Sequence, residues 1–156
     1  MNKKFEFFAQ GHQNILGTHT KTLEFTKEDY LTERGNCIIG IKCNISCSNL
    51  PDWLKLEIHN EKKFLIQLKI GYILNNNGDF SFHSEENKLC DEFIGYGNKK
   101  LTLKSNISMV FRKSNFICDR TVLIKCTKCA AEINRELIKK MKNPNSILLI
   151  SIEVLN

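Results

Sequence analysis

The chain repeats itself, and that repetition limits the folds open to it more than any single motif does. Gly11-His12-Gln13-Asn14 matches Gly95-Tyr96-Gly97-Asn98, Arg34-Gly35-Asn36-Cys37-Ile38 matches Lys113-Ser114-Asn115-Phe116-Ile117, and Ile41-Lys42-Cys43 recurs as Ile124-Lys125-Cys126. The order is the same in both halves. Phe64, Ile66, Leu68 and Ile70 then fall on Leu148, Ile150, Ile152 and Val154 in strict alternation, with Gln67 and Lys69 on Ser151 and Glu153. Spacing between matched blocks drifts only from 84 to 79 and back to 83 and 84. The expectation is a single compact domain over 1–156, built of two intertwined pseudo-repeat units near 5–74 and 89–156.

Each unit reads as strand, Gly-Asn loop, strand, tight turn, strand, helix, strand. The third strand is expected at 37–43 and 121–126, which are rich in β-branched residues that suit a half-buried pleated surface. In the second unit Thr127 reads as a helix cap, and Ala130, Ile133, Leu137 and Met141 share one helical face. Lys139, Lys140 and Lys142 suit the C-terminal dipole, and Asn143-Pro144 ends the helix. The partner segment 44–56 holds Ser46, Ser48, Asn49 and Pro51, so a short helix is expected, broken or restarting at Pro51. Asn75-Asn76-Asn77-Gly78 reads as a turn, followed by an exposed acidic connection. The predicted fold is mainly β, an antiparallel sandwich of jelly-roll kind, internally duplicated, with two helices packed on the sheets.

Composition narrows the class. The chain has 156 residues, 42% hydrophobic and 26% charged, with 23 Lys+Arg against 17 Asp+Glu. This excludes collagen-like, disordered and membrane-spanning classes, since no apolar run approaches the roughly 18 residues of a transmembrane helix. Residues 1–10 lack the apolar stretch and cleavage site of a signal peptide. Seven cysteines, an odd number, fit reduced thiols better than a disulfide framework. A cytoplasmic protein is expected.

Gly11-His12-Gln13-Asn14, Thr18-His19, Thr22-Leu23-Glu24-Phe25-Thr26-Lys27, Leu31-Thr32 and Gly35-Asn36-Cys37-Ile38-Ile39-Gly40 together resemble the archaeal domain-of-unknown-function family 371. The second half agrees through Gly95-Tyr96-Gly97, Leu101-Thr102-Leu103 and the run from Arg112 to Thr121. The resemblance covers nearly the whole chain. It implies an archaeal cytoplasmic protein of mainly β fold, and it implies no activity. Cys43, Cys126 and Cys129 stand where that family's usual residues look small and Ala-like.

Cys43-x3-Cys47 and Cys126-x2-Cys129 sit at matching strand-to-helix junctions. Four thiolates would make a zinc site if the junctions met, although only one spacing fits a Cys-x2-Cys knuckle. The other reading, small residues packing where a helix crosses a sheet, is favoured by the family's Ala at these places. No other cofactor is indicated.

Repetition also separates scaffold from function: what one unit holds alone is a candidate site. Three features look unmatched. They are the 11–20 loop with His12 and His19, read as longer than its counterpart; Asp119-Arg120, read as part of an insert; and the pair Arg112-Lys113. The expected site is a cleft in which His12 and His19 exchange protons, Asp119 orients one imidazole, and Arg112, Lys113 and Arg120 hold a small anion. Asn14 fixes the loop. Against this, each histidine alone suits an ordinary hydrogen-bonded role, and Asp119-Arg120 suits a structural ion pair. His59 and His83 are assigned nothing.

Two further classes stay open. Residues 99–128 carry eight Lys and Arg against one Asp, a net +7, which with Tyr96, Phe111 and Phe116 suits nucleic-acid binding. A plain solvated strand face explains the same charge. A non-catalytic interaction protein is the third class, with Trp53 as its anchor if exposed.

Overall fold

A computed structural model describes residues 3–73, 80–82 and 89–156. The first half runs β1 (Lys4–Gln10), β2 (Thr22–Thr26), β3 (Ile38–Gly40), α1 (Asp52–His59) and β4 (Lys63–Ile73), followed by a short β5 (Phe80–Phe82). The second runs β6 (Cys90–Tyr96), β7 (Ser108–Arg112), β8 (Thr121–Leu123), α2 (Arg135–Met141) and β9 (Ser146–Leu155). The predicted Asn-Gly turn, His83 and most of the acidic connection lie outside the described residues. No helix among the described residues is long and apolar enough to cross a membrane.

The fold is mainly β, in two sheets. The first has the order β1-β9-β4-β5, with β6 also on the free edge of β4; the second has the order β3-β2-β7-β8. The expected alternation of β4 and β9 puts Phe64, Ile66, Leu68, Ile70, Leu148, Ile150, Ile152 and Val154 into the core, none more than 5% exposed. Between the sheets a ladder of edge-on rings runs Phe7, Phe25, Phe111, Phe93, with centroids 5.8, 6.0 and 5.8 Å apart. Such edge-to-face stacking matches the positive ring edge to a negative ring face.

The sheets are not purely antiparallel. β3 runs parallel to β2 and β8 parallel to β7, because the connections 27–37 and 113–120 cross over the outer face of the second sheet before returning. Single bridges, Gln10 to Ile41 and Tyr96 to Ile124, tie the two sheets at opposite corners.

Hydrogen bonds recur between the halves in fine detail. The Asn14 amide donates to His12 Nδ1 at 3.0 Å and, 86 positions on, the Lys100 amide donates to Asn98 Oδ1 at 2.9 Å. The Lys21 and Thr22 amides donate to His19 Nδ1, both at 3.1 Å; those of Ile107 and Ser108 donate to Ser105 Oγ at 3.2 and 3.1 Å. Gly17 and Leu103 both hold left-handed backbone, φ 57° and 53°. Beyond β3 and β8 the offset is 83: Lys42 and Lys125 share φ near 50°, and the Phe8 and Ile94 amides donate to Asn44 Oδ1 and Thr127 Oγ1.

This pattern corrects four readings of the sequence, the first being the match of 34–38 to 113–117: β3 and β8 open at Ile38 and Thr121, so Gly35 is equivalent to Cys118 and not to Ser114. The 11–20 loop is not longer than its counterpart, since 11–21 and 97–107 are eleven-residue connections. The glycine equivalent to Gly11 is Gly97, not Gly95. A Cβ on Gly11 would strike the Asn143 and Met141 carbonyls, and one on Gly97 the Ile58 carbonyl. Asp119-Arg120 is not in an insert either, because 113–120 is three residues shorter than 27–37. Arg120 stands where the first half has Cys37: the Cys37 carbonyl accepts from the Glu24 amide of β2, and the Arg120 carbonyl from the Val110 amide of β7.

The helical segments break as expected at Pro51, into a 3-10 turn over Cys47–Asn49 and then α1. The second half breaks too, which its sequence did not suggest. Thr127 turns its hydroxyl to the β6 backbone, a 3-10 turn covers Ala130–Glu132, and Asn134 caps α2 by accepting from the Glu136 amide. Each 3-10 turn is closed by a side chain three residues on: Asn49 accepts from the Ser46 amide and Glu132 from the Cys129 amide. Trp53 is partly buried against the core, with Lys3 Nζ 5.4 Å above its ring.

Candidate functional site

In β2 and β7, Leu23, Phe25, Met109 and Phe111 face the core, so Glu24 and Val110 between them face outward. The two crossing connections cover that outer face. Glu24 is consequently only 7% exposed and Val110 2%. A carboxylate here is stripped of water, and burial pushes Glu24 above its ordinary value, offset in part by Arg120.

Two side chains reach Glu24 Oε1 from equivalent positions on the two connections. Arg120 Nη1 stands at 3.3 Å and the Cys37 thiol at 3.6 Å. The Arg120 side chain is half exposed, whereas that of Glu24 is nearly covered, at 51% against 10%. The Arg120 backbone is held from below by Cys47, whose thiol points at its carbonyl and that of Ser108.

Beside this pair lies a second cation. Arg112 donates from Nε to Thr121 Oγ1 at 2.9 Å and from Nη2 to Cys118 Sγ at 3.3 Å, and its guanidinium stacks 4.9 Å over Phe116. Partial burial alone would raise the Cys118 thiol. The Arg120 amide, the Thr121 hydroxyl and the Arg112 guanidinium together bring it down to about 7. The other shifted thiols go the opposite way: burial pushes Cys43, Cys47 and Cys126 up to about 12 and Cys37 to about 11.

The structure thus brings Arg112 and Arg120 together around Glu24 and spreads the other expected site residues. His12 and His19 each spend Nδ1 on backbone amides. Asn14 Nδ2 donates to the Leu31 carbonyl at 2.8 Å, pinning its loop to the 27–37 connection. Lys113 Nζ pairs with Glu132 at 2.7 Å, and that contact, with the Cys129 thiol, draws Glu132 down to about 2. Asp119 is exposed and accepts from the Thr102 hydroxyl at 2.8 Å. Among the described residues no hydrogen bond joins Asp119 to either imidazole.

Glu24, Cys37 and Cys118 escape a reading of sequence alone. Glu24 looks like any outward polar residue of an alternating strand; what buries it is a pair of connections remote in sequence. The four cysteines weighed for zinc have separate surroundings. Cys43 and Cys126 are equivalent, but Cys47 matches Ala130 and Cys129 matches Ser46. Among the described residues no three His, Cys, Asp or Glu side chains are grouped to hold a metal ion.

Of the basic segment, Lys99, Lys100, Lys104 and Lys125 are exposed. Lys113 and Lys128 are held by Glu132 and Asp91, and Arg120 by Glu24. Phe111 is fully buried, leaving Phe116, 61% exposed under Arg112, as the surface aromatic of that stretch.

The family described as Domain of unknown function (DUF371) matches residues 7–155, from within β1 to the end of β9. An uncharacterized protein of the archaeon Methanocaldococcus jannaschii is 39% identical over 145 residues, spanning 93% of this chain and 96% of that protein. Both matches run through both halves and across every residue of the Glu24 cluster, and the chain belongs to the DUF371 family.

Proposed function

We propose that the protein binds a small anion on the outer face of the second sheet, with Arg120 passing from Glu24 to the ligand and Glu24 taking up a proton. One observation carries this reading: a half-exposed guanidinium is held at 3.3 Å by a carboxylate whose burial already favours its neutral form. A ligand carboxylate or phosphate offers Arg120 a better partner, since its oxygens accept a bidentate pair of N–H bonds. Glu24 left behind in a covered site is then best neutral. Arg112 supplies the neighbouring positive charge. In this reading proton handling belongs to Glu24, while His12, His19 and Asn14 shape the adjacent loop and Lys113 and Asp119 stay in their structural pairs. We read the recurring bonds of the two halves as the mark of an internal duplication, with the site gained where the halves diverge.

Calorimetry with inorganic phosphate and with citrate at pH 7, repeated in buffers of different ionisation enthalpy, tests the proposal. Binding with net proton uptake is expected. Arg120→Ala should abolish binding, and Glu24→Gln should keep binding while removing the uptake. Absence of binding to both anions overturns the reading. If a 20-residue single-stranded oligonucleotide then binds with steep salt dependence, the function moves to the exposed lysines of 99–128.

A further inference from the structure

The connections 11–21 and 97–107 make the same bonds with different acceptors. In the second, the acceptors are the Asn98 amide oxygen and the Ser105 hydroxyl, neither of which titrates. In the first, both acceptors are imidazole nitrogens: His12 Nδ1 takes the Asn14 amide, and His19 Nδ1 takes the Lys21 and Thr22 amides and lies 3.2 Å from the Thr22 hydroxyl. An imidazole nitrogen accepts only while it carries no proton, and imidazole is the side chain that commonly changes charge between about pH 5 and 8.

We propose that the 11–21 connection is an acid-released latch. A proton on Nδ1 of His12 or His19 turns an acceptor into a donor facing other donors, and the connection comes loose from its own ends. The 97–107 connection stays closed over the same range. What the latch holds is visible in the backbone. The His12 amide donates to the Met141 carbonyl at the end of α2, the His19 carbonyl accepts from the Ala131 amide, and the Thr18 and His19 amides share the Asn36 carbonyl. Release therefore frees the entrance of β2 from α2, from the 3-10 turn and from the 27–37 connection together.

Among the described residues no carboxylate is hydrogen-bonded to the His12 or His19 ring. On the same segment stands Lys21; from β7 comes Lys113, already paired with Glu132 of the 3-10 turn. From α2 comes Arg135, whose guanidinium sits on the Gly17 carbonyl at 2.9 and 3.0 Å, with Lys139, Lys140 and Lys142 at the helix end that meets His12. The 27–37 connection adds Glu28, Asp29, Glu33 and Arg34, and Cys37 and Glu24 are engaged with each other. The proposal is independent of the anion-binding reading.

Residue-resolved amide hydrogen exchange of the intact protein at pH 8 and pH 5, corrected for intrinsic rates, is the test. Protection of the Asn14, Lys21 and Thr22 amides should fall about tenfold, while that of Lys100, Ile107 and Ser108 holds. Because the second connection is a control within the same molecule, the comparison stands without any variant. The double variant His12→Asn, His19→Ser, which copies the second connection into the first, should remove the pH response. Equal behaviour of the two connections in the native protein, or a response that persists in the double variant, overturns the latch.

Discussion

Glu24 and Val110 face each other directly across β2 and β7, and Gln67 and Ser151 across β4 and β9. At these two places equivalent positions of the halves meet, and the second is polar in both halves while the first joins a carboxylate to an isopropyl group. The contrast extends around the outer face: Cys37 against Arg120, Thr26 against Arg112, Gly35 against Cys118. The backbone bonds of the halves scarcely differ. Bond-making positions are held by the need to satisfy buried amides, and many side chains can do that. Asymmetry is therefore tolerated on the covered outer face, where it creates chemistry, and resisted in the ladder of rings.

The sharpest way to break the comparison is in that ladder. Phe25→Ala and Phe111→Ala should each cost about 3–5 kcal/mol and by similar amounts, read from urea unfolding, because each removes the central ring between two edge-on neighbours. A large inequality would mean that the cores of the halves are not equivalent. Next come the glycines. Gly97→Ala should cost about 3 kcal/mol or more, since its Cβ meets the Ile58 carbonyl, and Gly95→Ala about 1 kcal/mol, since its Cβ meets the Cys126 and Leu123 side chains at 2.9 to 3.1 Å. The reverse order would restore Gly95 as the counterpart of Gly11.

Smallest is the substitution that erases the asymmetry. Glu24→Val copies Val110 and should raise stability at pH 7 by about 1 kcal/mol, since only one partner of the replaced pair is well buried. The sign follows from the raised Glu24: its ionised form is disfavoured in the folded state, so the cost exists above its folded value and is absent below the ordinary 4.5. The gain of the variant should therefore shrink as pH falls through that window, and unfolding at pH 4, 5.5 and 7 reads it.

Much of this architecture was legible in the chain. Strict alternation at 64–70 and 148–154 shows two half-buried strands but not their pairing: the repeats align Lys69 with Glu153, whereas the antiparallel register sets Lys69 beside Leu149, and the two agree where Gln67 meets Ser151. The Ile-Lys-Cys repeats mark equivalent corners, down to their left-handed lysines. What failed, failed because a local match has no knowledge of space. Gly95-Tyr96-Gly97 holds two glycines, and only the approach of α1 decides which one needs to lack a side chain. Likewise Thr127, a good cap by residue type, is taken by the β6 backbone. Arg112 and Arg120 stand out in the sequence as unmatched cations, but Glu24, which lies near the Arg112 charge and is paired with Arg120, is 88 and 96 positions away, beyond any pattern along the chain.

The sheet that joins β1 to β9 and β4 to β6 has a consequence in time. A chain growing from its N terminus makes β4 before β6, so β6 meets a finished partner as it leaves the ribosome. β1 has no such luck, for its partner β9 is the last strand of the sheet to be synthesised. Until then Phe7 and Ala9, buried in the finished protein, stand on an unpaired strand with open amides and carbonyls, the kind of edge that pairs with strangers. Closure of the longest contact in the molecule should be the slow step of folding, and crowding of nascent chains the moment of greatest hazard.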